Sequence, residues 1–382
     1  MKPKICFIST VSVTLRTFVE PQARILLKQG WEVHWASARL SPEHSLPEGI
    51  VHHELPISRH PSVMESIHVL AELVRLLKRE GFLIVQYSSP IASLYGSIAA
   101  VLTRTPVRIY AQWGIRYVGF SGSKRTFFKF LERCTCHFST SIQPDSFGNL
   151  AFSVNEGLYK ETKAEVVGHG SACGVDLERY RLDLKAGYRA QVRDQYNIEA
   201  DDFVYGFVGS VRTDKGINEL VRAFCSLEAK DTKLILVGDR EYEKDLLPDV
   251  RKLITSDPRI LMTGPVSGVE RFLSAFDCLV FPSYREGFGM VVIEAAAMGV
   301  PAIVTNIPGP SEAVDNTRTG TVVELHDVGG LKQAMRFYLD SPEKARSQGL
   351  EARLRVERLY DRRKLMTAYV ENKRQLVEAR SQ

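Results

Sequence analysis

Short apolar runs alternate with amphipathic stretches along the first 160 residues. The apolar runs that predict strands are Ile5–Ser9, Glu32–Ser37, Val51–Leu55, Phe82–Tyr87, Val107–Gln112 and Phe138–Ile142. The stretches with helical spacing are Leu15–Gln29, Val63–Glu80, Ile91–Thr103 and Lys124–Cys134. Glycine follows the last periodic residue of the first two helices, which is a common helix stop. Strands joined through helices pair in parallel, so this half predicts a sheet built of βαβ units.

The same alternation returns in the second half. Strands are expected at Ala164–Gly168, Phe203–Gly209, Lys233–Val237, Ile260–Thr263, Cys278–Pro282, Ala302–Thr305 and Thr321–Glu324. Helices are expected at Ile217–Glu228, Glu241–Thr255, Glu270–Phe276, Met290–Met298 and Val328–Leu339. We therefore predict an α/β protein with two Rossmann-like domains, residues 1–160 and 161–358, and a C-terminal helix over residues 359–382. The charge of this tail is typical of a solvated face; the alternative is that it crosses back and packs on the first domain.

Composition narrows the classes of function. Of the 382 residues, 44% are hydrophobic and 25% are charged, as in soluble two-domain proteins. Residues 1–165 carry 19 Lys and Arg against 13 Asp and Glu. This mild excess suits an anionic acceptor or membrane surface, but without a basic block or a recognised motif it does not indicate nucleic-acid binding. Six cysteines without a CxxC pair, no signal-peptide pattern and no run of 18 apolar residues predict a cytoplasmic protein.

Ligands of such sheets bind beyond the carboxyl ends of the strands, so the loops that follow strands are the candidate sites. The first loop of interest is Gly209-Ser-Val-Arg212-Thr-Asp-Lys215-Gly216, before a helix that begins near Ile217. Two cations beside a helix N-terminus are suited to a diphosphate. Taken alone, the loop is equally consistent with two ordinary surface cations.

A second loop holds two acids and two glycines, in Glu286-Gly287-Phe288-Gly289 and then Glu294 on the following helix. The glycines allow the backbone to approach a ligand closely. A retaining glycosidase needs its two carboxyl groups about 5 Å apart, and eight residues across a turn and a helix predict a larger separation. One acid at a sugar and one at a ribose fits this spacing better.

A third turn, Gly170-Ser-Ala-Cys-Gly174-Val-Asp176-Leu-Glu-Arg179-Tyr180, follows the first strand expected in the second half. By itself it is more typical of a plain strand-to-helix connection than of a binding site.

Together these motifs resemble the retaining GT-B glycosyltransferases of family 4, whose C-terminal domain is the "glycosyl transferases group 1" module. Glu286 and Glu294 match the family's E-x7-E signature, and Arg212 and Lys215 match its cation pair for the donor diphosphate. The resemblance covers essentially the whole chain. It implies two Rossmann-like domains facing across a cleft, with C-terminal helices crossing back to the first domain.

Other segments carry the same resemblance. Gly174-Val-Asp176 followed by Tyr180 matches the family's "GVD" turn, and Pro308-Gly309-Pro310-Ser311-Glu312 followed by Gly320 resembles the segment after the next strand. Trp113-Gly114 stands where many members carry His-Gly, and Cys173 stands where relatives in polysaccharide assembly often carry Asn. These two departures leave the contacts to the donor sugar unassigned.

The resemblance also implies roles for individual residues. Arg212 and Lys215 would stabilise the leaving diphosphate, Glu286 would hold the sugar hydroxyls, and Glu294 the ribose. Further donor contacts are expected from Gly209, Gly287, Phe288, Gly289, Met290 and Val291. Residues expected at the acceptor or along the cleft are Ser9, Thr14, Trp113, Gly114 and Gly174.

The implied reaction follows from charge. The expected donor is a nucleotide-diphosphate sugar, with UDP as the expected nucleotide, and the acceptor hydroxyl would attack from the same face as the leaving group. The departing phosphate would take the proton, so no protein base is required, and without a credible Asp-x-Asp motif neither a metal nor another cofactor is expected. Two alternatives stay open: an epimerase or phosphorylase on the same fold, and a non-catalytic protein that binds sugar nucleotides.

The first half most resembles enzymes that extend lipid-linked saccharides for capsule, O-antigen or exopolysaccharide. The expected acceptor is a sugar on polyprenyl diphosphate at the inner face of the membrane. The segment from Lys124 to Arg133, with three phenylalanines, could rest peripherally on that face. Packing of those phenylalanines into the core is the alternative, and the one that the sequence favours.

Overall fold

In the computed structural model, the described residues are 2–40, 45–58, 62–239 and 245–381. The chain divides into two compact units. Residues 1–174 and 362–382 form the first unit, and residues 175–361 form the second.

The first unit is built on a parallel sheet of six strands in the order β3-β2-β1-β4-β5-β6. The strands are β1 Lys4–Ile8, β2 Glu32–Ser37, β3 Ile50–Glu54, β4 Ile84–Tyr87, β5 Val107–Gln112 and β6 Ser141–Pro144. In the central pairs, Phe7 of β1 lies opposite Trp35 of β2 and Gln86 of β4. Both faces of the sheet are covered, which explains why its strands are almost continuously apolar.

The helices of the first unit are Ser12–Thr14, Glu20–Lys28, Val63–Glu80, Pro90–Leu102, Gly122–Phe138, Phe147–Asn155 and Arg362–Ser381. A π-helical turn, Leu15–Val19, and two 3₁₀ turns, Arg116–Gly119 and Glu161–Lys163, complete the set. Local sequence sets the ends of the longest central helix. Ser62 and Glu65 form a reciprocal capping box at its start, and Gly81 ends it with φ of 64°.

The second unit repeats this plan with the strand order β12-β11-β10-β7-β8-β9. Its strands are β7 Phe203–Val208, β8 Thr232–Val237, β9 Ile260–Gly264, β10 Cys278–Phe281, β11 Ala302–Thr305 and β12 Gly320–Val323. Its helices are Lys185–Gln195, Ile217–Cys225, Pro248–Ser256, Val269–Ala275, Met290–Ala297, Pro310–Ala313, Val328–Asp340 and Pro342–Leu359. Two 3₁₀ turns, Leu182–Leu184 and Thr213–Lys215, join these elements. Both units therefore have Rossmann connectivity.

Two of the predicted strands need correction. Ala164–Gly168 forms no strand; Ala164 makes a single bridge to Ile142, and Gly168 turns the chain with φ of 61°. Phe138 is the last residue of a helix, so the sixth strand starts only at Ser141. In both segments the apolar residues predicted a strand, although Val166 and Val167 are buried outside any strand and Phe138 is a half-buried helix end.

The predicted helices differ in smaller ways. The helix expected at Leu15–Gln29 is divided by the π-helical turn. Residues 241–244 of the helix expected at Glu241–Thr255 lie outside the described residues, and the described helix begins at Pro248. Phe147–Asn155 and Lys185–Gln195 are helices that the sequence pattern did not reveal.

The boundary between the units lies at Gly174, fourteen residues after the position expected from the polar segment. Hydrogen bonds to the first sheet explain the difference. The backbone N–H of Glu165 donates to Ile142 over 3.0 Å, and that of Ser171 donates to Asp145 over 2.6 Å. Residues 164–174 therefore stay with the first unit.

The C-terminal helix starts at Arg362 and belongs to the first unit. Its polar side chains are paired there: Lys373 Nζ donates to Gln22 Oε1 over 2.7 Å, and Gln143 Nε2 donates to Asn372 Oδ1 over 2.7 Å. The Tyr369 hydroxyl donates to the Ser171 carbonyl over 3.0 Å. One face of this charged helix is thus buried rather than solvated.

Lys373 makes the packing of the C-terminal helix on the first unit sensitive to pH. Burial lowers the pKa of its ammonium to about 7, whereas an unfolded lysine titrates at about 10.4. Between these values the unfolded chain binds more protons, so stability rises with pH from about 7 to about 10. Replacing both partners, Lys373→Met with Gln22→Met, should remove that contribution and raise Tm at pH 7 by about 2 °C or more.

Thermal unfolding from pH 6 to pH 10 measures this effect. Lys364→Met, at an exposed lysine of the same helix, is the matched control and should keep the wild-type dependence. An identical slope of Tm against pH in the wild type and the double variant would contradict the assignment.

Candidate active site

The two motifs that carry most charge follow neighbouring strands. β7 and β10 lie side by side in the second sheet although two strands separate them in the chain. Strand order reverses at this point, and loops that leave the carboxyl ends of such a pair open a crevice for ligands. The loop after β7 holds Arg212 and Lys215, and the loop after β10 holds Glu286.

Close backbone contacts fix these loops to each other. Gly216 has φ of +71°, and a Cβ there would lie 2.0 Å from the Pro282 carbonyl oxygen. The Tyr284 N–H donates to the Asp214 carbonyl over 3.0 Å. A side chain at position 216 would separate the loops, so glycine is required by contact as well as by φ.

Lys215 and Glu286 meet where the loops touch. Lys215 Nζ lies 2.5 Å from Glu286 Oε1, and the side chains are 24% and 16% exposed. The Ser283 hydroxyl donates to the same Glu286 oxygen over 2.9 Å. This is a partly buried, charge-assisted pair that is held in one geometry.

Arg212 lies on the outer side of the same loop. Its Nε is 3.6 Å from Asp214 and 3.9 Å from Asp245, and its side chain is 44% exposed. Asp214 also pairs with Arg285 at 2.9 Å. The structure thus pairs Lys215 with Glu286, whereas the carboxylates near Arg212 are those of Asp214 and Asp245.

The donor candidates Phe288, Gly289, Met290 and Val291 lie at the start of the helix that follows this loop. Gly289, with φ of +78°, precedes the helix Met290–Ala297, so the first turn of that helix faces the loop. The Phe288 side chain is buried against Tyr360, with ring centroids 5.2 Å apart. Met290 and Val291 pack partly against the same core. Phe288 is thus a core residue, whereas Met290 and Val291 are half-buried at the start of the helix.

The segment Pro308–Glu312 supports this loop from behind. A Cβ at Gly309, where φ is +91°, would lie 1.8 Å from the Gly287 carbonyl oxygen. Pro310 in turn contacts Gly289, at 3.1 Å from the position of its absent Cβ. The Pro-Gly-Pro sequence therefore serves to hold the two glycines of the second motif.

Glu294 faces a different group of residues. The Tyr180 hydroxyl is hydrogen-bonded to Glu294, and burial together with this carboxylate raises the pKa of Tyr180. The neighbouring Arg179 pairs with Glu270 at 2.8 Å. The third motif thus adjoins the second through Tyr180, whereas Gly174 ends the first unit.

In the first unit, the acceptor candidates Ser9 and Thr14 follow β1, and Trp113 and Gly114 follow β5. Ser9 is buried, and its Oγ lies 3.4 Å from the Oγ of Ser89, whose backbone is left-handed with φ of 65°. The Trp113 ring packs on Phe18 with centroids 5.3 Å apart, and Gly114 turns with φ of 100°. Thr14 is half-buried in a short helix.

Sequence reasoning missed several of these contacts. Ser283, three residues before Glu286, orients that carboxylate, and Ser89 links the loops after β1 and β4. The strained backbone at Ser89 has no sequence signature, because serine rarely adopts positive φ. Ser283 lies between the end of β10 and Glu286, and this position in the sequence indicates a hydroxyl group close to the acid.

Among the described residues, the one His, Cys, Asp and Glu group with the spacing of metal ligands is Glu32, His34 and Glu80. Lys4 Nζ lies 3.0 Å from Glu32 and 3.3 Å from Glu80 in this group. None of the motif residues takes part in it. The helices in the described ranges are all too short or too polar to span a lipid bilayer.

Comparison with solved structures identifies the fold. The Anabaena protein HepE in complex with UDP matches with a TM-score of 0.80 at 17% identity, over 98% of this chain and 100% of that one. A glycosyltransferase from Rickettsia africae matches with a TM-score of 0.81 at 19% identity, over 100% and 99%. Two six-stranded Rossmann units with the loops described above define the GT-B class.

Sequence comparison identifies the family. Residues 189–355 match the model for glycosyl transferases group 1, and residues 4–146 match that for glycosyl transferase 4-like domains. The Staphylococcus aureus capsular polysaccharide biosynthesis glycosyltransferase CapM is 30% identical over 93% of this chain and 92% of its own length. The chain therefore belongs to the group 1 glycosyl transferases, and it is a glycosyltransferase.

The name of a further relative specifies its donor and its acceptor. The Escherichia coli UDP-Gal:alpha-D-GlcNAc-diphosphoundecaprenol alpha-1,3-galactosyltransferase is 26% identical over 73% of this chain and 72% of its own length.

The contact between the two loops of the second unit can be tested directly. Gly216→Ala should lower Tm, because its Cβ would overlap the Pro282 carbonyl. Gly187→Ala is the control, since nothing lies within 4 Å of the added Cβ in its helix. Replacing that helical glycine should stabilise the protein by up to ~1 kcal/mol.

Thermal unfolding measures both variants. A wild-type Tm in Gly216→Ala would show that the contact between the loops does not depend on glycine at this position.

Proposed function

We propose that this glycosyltransferase moves a sugar from a UDP-sugar, with retention of anomeric configuration, onto a saccharide carried by polyprenyl diphosphate. The product would be an intermediate of a surface polysaccharide such as capsule, O-antigen or exopolysaccharide. The observation that carries the proposal is the contact of Lys215 with Glu286 over 2.5 Å at the switch point of the second sheet. It joins a cation suited to phosphate to an acid suited to sugar hydroxyls.

The leaving group sets the first requirement of the reaction. Departure of UDP concentrates negative charge on the diphosphate, and fixed cations with helix N-termini stabilise such charge most when they are preorganised. Lys215 lies directly before the helix Ile217–Cys225, and Arg212 lies three residues earlier. In this proposal these groups carry the diphosphate, and neither a metal nor another cofactor takes part.

The sugar sets the second requirement. Glu286 holds the hydroxyls of the donor sugar, and Ser283 keeps its carboxylate oriented. Binding of the donor diphosphate replaces Glu286 as the partner of Lys215. The acceptor hydroxyl then attacks from the face of the leaving group, and the departing phosphate oxygen accepts its proton. Glu294, beside Tyr180, binds the ribose.

The acceptor is argued from the relatives. The similar Escherichia coli enzyme is named for a diphosphoundecaprenol-linked substrate, and the similar Staphylococcus aureus enzyme for capsular polysaccharide synthesis. The HepE structure contains UDP. These names support a UDP-sugar donor and a lipid-linked acceptor for this chain as well.

A panel of UDP- and GDP-sugars tests the donor. Thermal stabilisation and slow hydrolysis should be strongest with one UDP-sugar, and transfer to a lipid-linked saccharide should release UDP. Conversion of the donor to an isomer without acceptor would instead indicate an epimerase. Binding without hydrolysis or transfer would indicate a non-catalytic protein.

Glu286→Gln tests the role of the acid. It keeps the size of the side chain but removes the charge, and it should lower kcat at least tenfold because a contact to the reacting sugar is worth a few kcal/mol in the transition state. Glu343→Gln, at an exposed acid of the helix Pro342–Leu359, is the control. Near-normal turnover of Glu286→Gln would remove Glu286 from the mechanism.

Lys215→Ala tests the diphosphate site. Loss of a charge-assisted contact should weaken UDP binding about tenfold or more, with a smaller effect on uridine, which lacks the phosphates. Lys344→Ala, at an exposed lysine of the second unit, should bind UDP normally. Equal losses for UDP and uridine in Lys215→Ala would show a structural rather than an electrostatic role.

A further inference from the structure

Three side chains, Glu219, Tyr284 and His326, form a connected group at the loop that carries Glu286. Glu219 is in the first turn of the helix that begins at Ile217, Tyr284 follows β10, and His326 follows β12. The sequence singles out none of the three as a donor or acceptor candidate. All three lie on connections that leave the carboxyl edge of the second sheet, which is the edge where such sheets bind ligands.

Tyr284 is held by its backbone and by its side chain. Its N–H donates to the Asp214 carbonyl over 3.0 Å, and its hydroxyl donates to Glu219 Oε2 over 2.7 Å. Burial raises the pKa of the Tyr284 hydroxyl, so the hydroxyl keeps its proton and remains a donor. The two bonds tie this residue both to the loop after β7 and to the helix that follows that loop.

His326 packs on Tyr284 from a third connection. The ring centroids are 4.2 Å apart and the planes meet at 67°, which is an edge-to-face contact. Nδ1 of His326 also lies 3.7 Å from Glu219 Oε1. The imidazole therefore contacts both members of the hydrogen-bonded pair, although its side chain is 57% exposed.

The backbone of His326 has a conformation that favours glycine. Its φ is +62°, in the left-handed region, where a residue with a Cβ is less stable than glycine. Residues in such conformations persist where their surroundings hold them, and they cluster at functional sites. What His326 supplies and glycine cannot supply is a ring against Tyr284.

Tyr284 lies two residues before Glu286 in the chain. Ser283, the residue before Tyr284, donates to Glu286 Oε1 over 2.9 Å. Because these residues are consecutive, a displacement of Tyr284 moves both the acid and the hydroxyl that orients it. The helix that contains Glu219 begins two residues after Lys215. The bond from Tyr284 to Glu219 thus joins the segment of the acid to the helix beside the cation.

We infer that Tyr284 is a positioning residue for sugar transfer and that Glu219 and His326 hold it in place. The inference rests on the proposed function, because it concerns the geometry of Lys215 and Glu286. The three side chains act through the placement of these two charged groups and do not themselves touch the reactants. Placement matters because an error of about 1 Å at a reacting group can lower a rate about 10²-fold.

Removal of single contacts tests the inference through turnover, measured as UDP release from the UDP-sugar that the wild type hydrolyses fastest. Tyr284→Phe removes only a hydroxyl and should lower kcat about fivefold or more, with a smaller change in KM. Glu219→Ala should have the same effect, and the double variant should be no worse than either single one, because one bond is lost in all three. Glu219→Gln keeps an acceptor and should stay within about twofold of the wild type.

His326→Gly separates positioning from stability. Glycine accepts the left-handed backbone, so Tm should fall little, whereas kcat should fall about threefold or more because the ring against Tyr284 is lost. If Tyr284→Phe does not fold, His326→Gly makes the same test from an exposed position.

Tyr205→Phe is the matched control. The Tyr205 hydroxyl donates to the Met335 carbonyl over 2.7 Å, the same length as the bond from Tyr284, but it is buried in the core of the second unit. This variant loses the same kind of contact, so it should lower Tm and leave kcat at the wild-type value.

Three results would overturn the inference: wild-type kcat in both Tyr284→Phe and His326→Gly, equal losses of kcat in Tyr284→Phe and Tyr205→Phe, or a loss in Glu219→Gln as large as that in Glu219→Ala. Each leaves the proposed function intact if the wild type turns over a UDP-sugar and Glu286→Gln does not. A wild type that neither hydrolyses nor transfers any UDP-sugar would instead contradict the proposed function itself.

Discussion

The contact of Gly216 with the Pro282 carbonyl is the constraint on which the candidate active site depends. At this point the loops after β7 and β10 touch directly, because Gly216 has no side chain to hold the Pro282 carbonyl away. Because the two strands are neighbours in the sheet, the loops start close together, and the glycine lets them stay close. The pairing of Lys215 with Glu286 over 2.5 Å is a consequence of that approach.

The same physical device recurs behind the second loop. Gly309 lies against the Gly287 carbonyl, so the segment after β11 holds the loop after β10. Phe288, which the sequence places among the donor candidates, packs in the core and holds the backbone of the loop in place. The site therefore has two kinds of residue. Lys215 and Glu286 present charge, whereas glycines and buried apolar residues set where that charge lies.

The first unit distributes its chemistry differently. Around β1 and β4 it presents hydroxyl groups, with Ser9 and Ser89 in contact and no charged pair between them. Beyond β5 it has an apolar cavity beside Arg116. A fold with one connectivity thus carries charged loops in one unit and an apolar cavity in the other, because the loops and helices vary while the sheet does not.

Most strands and helices could be predicted from the sequence, because apolar periodicity and glycine stops are local properties. The errors have local causes as well. Phe138 and Val167 are apolar residues near strands, and the pattern alone cannot separate a strand from a helix end or a buried connection. The extent of the first unit could not be predicted, since it depends on hydrogen bonds from residues such as Ser171 to Asp145.

By itself the sequence determined the fold class, the two charged loops and the family, because spacing and residue type at strand ends carry that information. Only the tertiary structure decided that Lys215 pairs with Glu286, that Glu294 faces Tyr180, and that the charged C-terminal helix buries Lys373. It also formed the cavity beside Arg116. These features depend on distances between segments far apart in the chain, and such distances are fixed by packing, which no local pattern records.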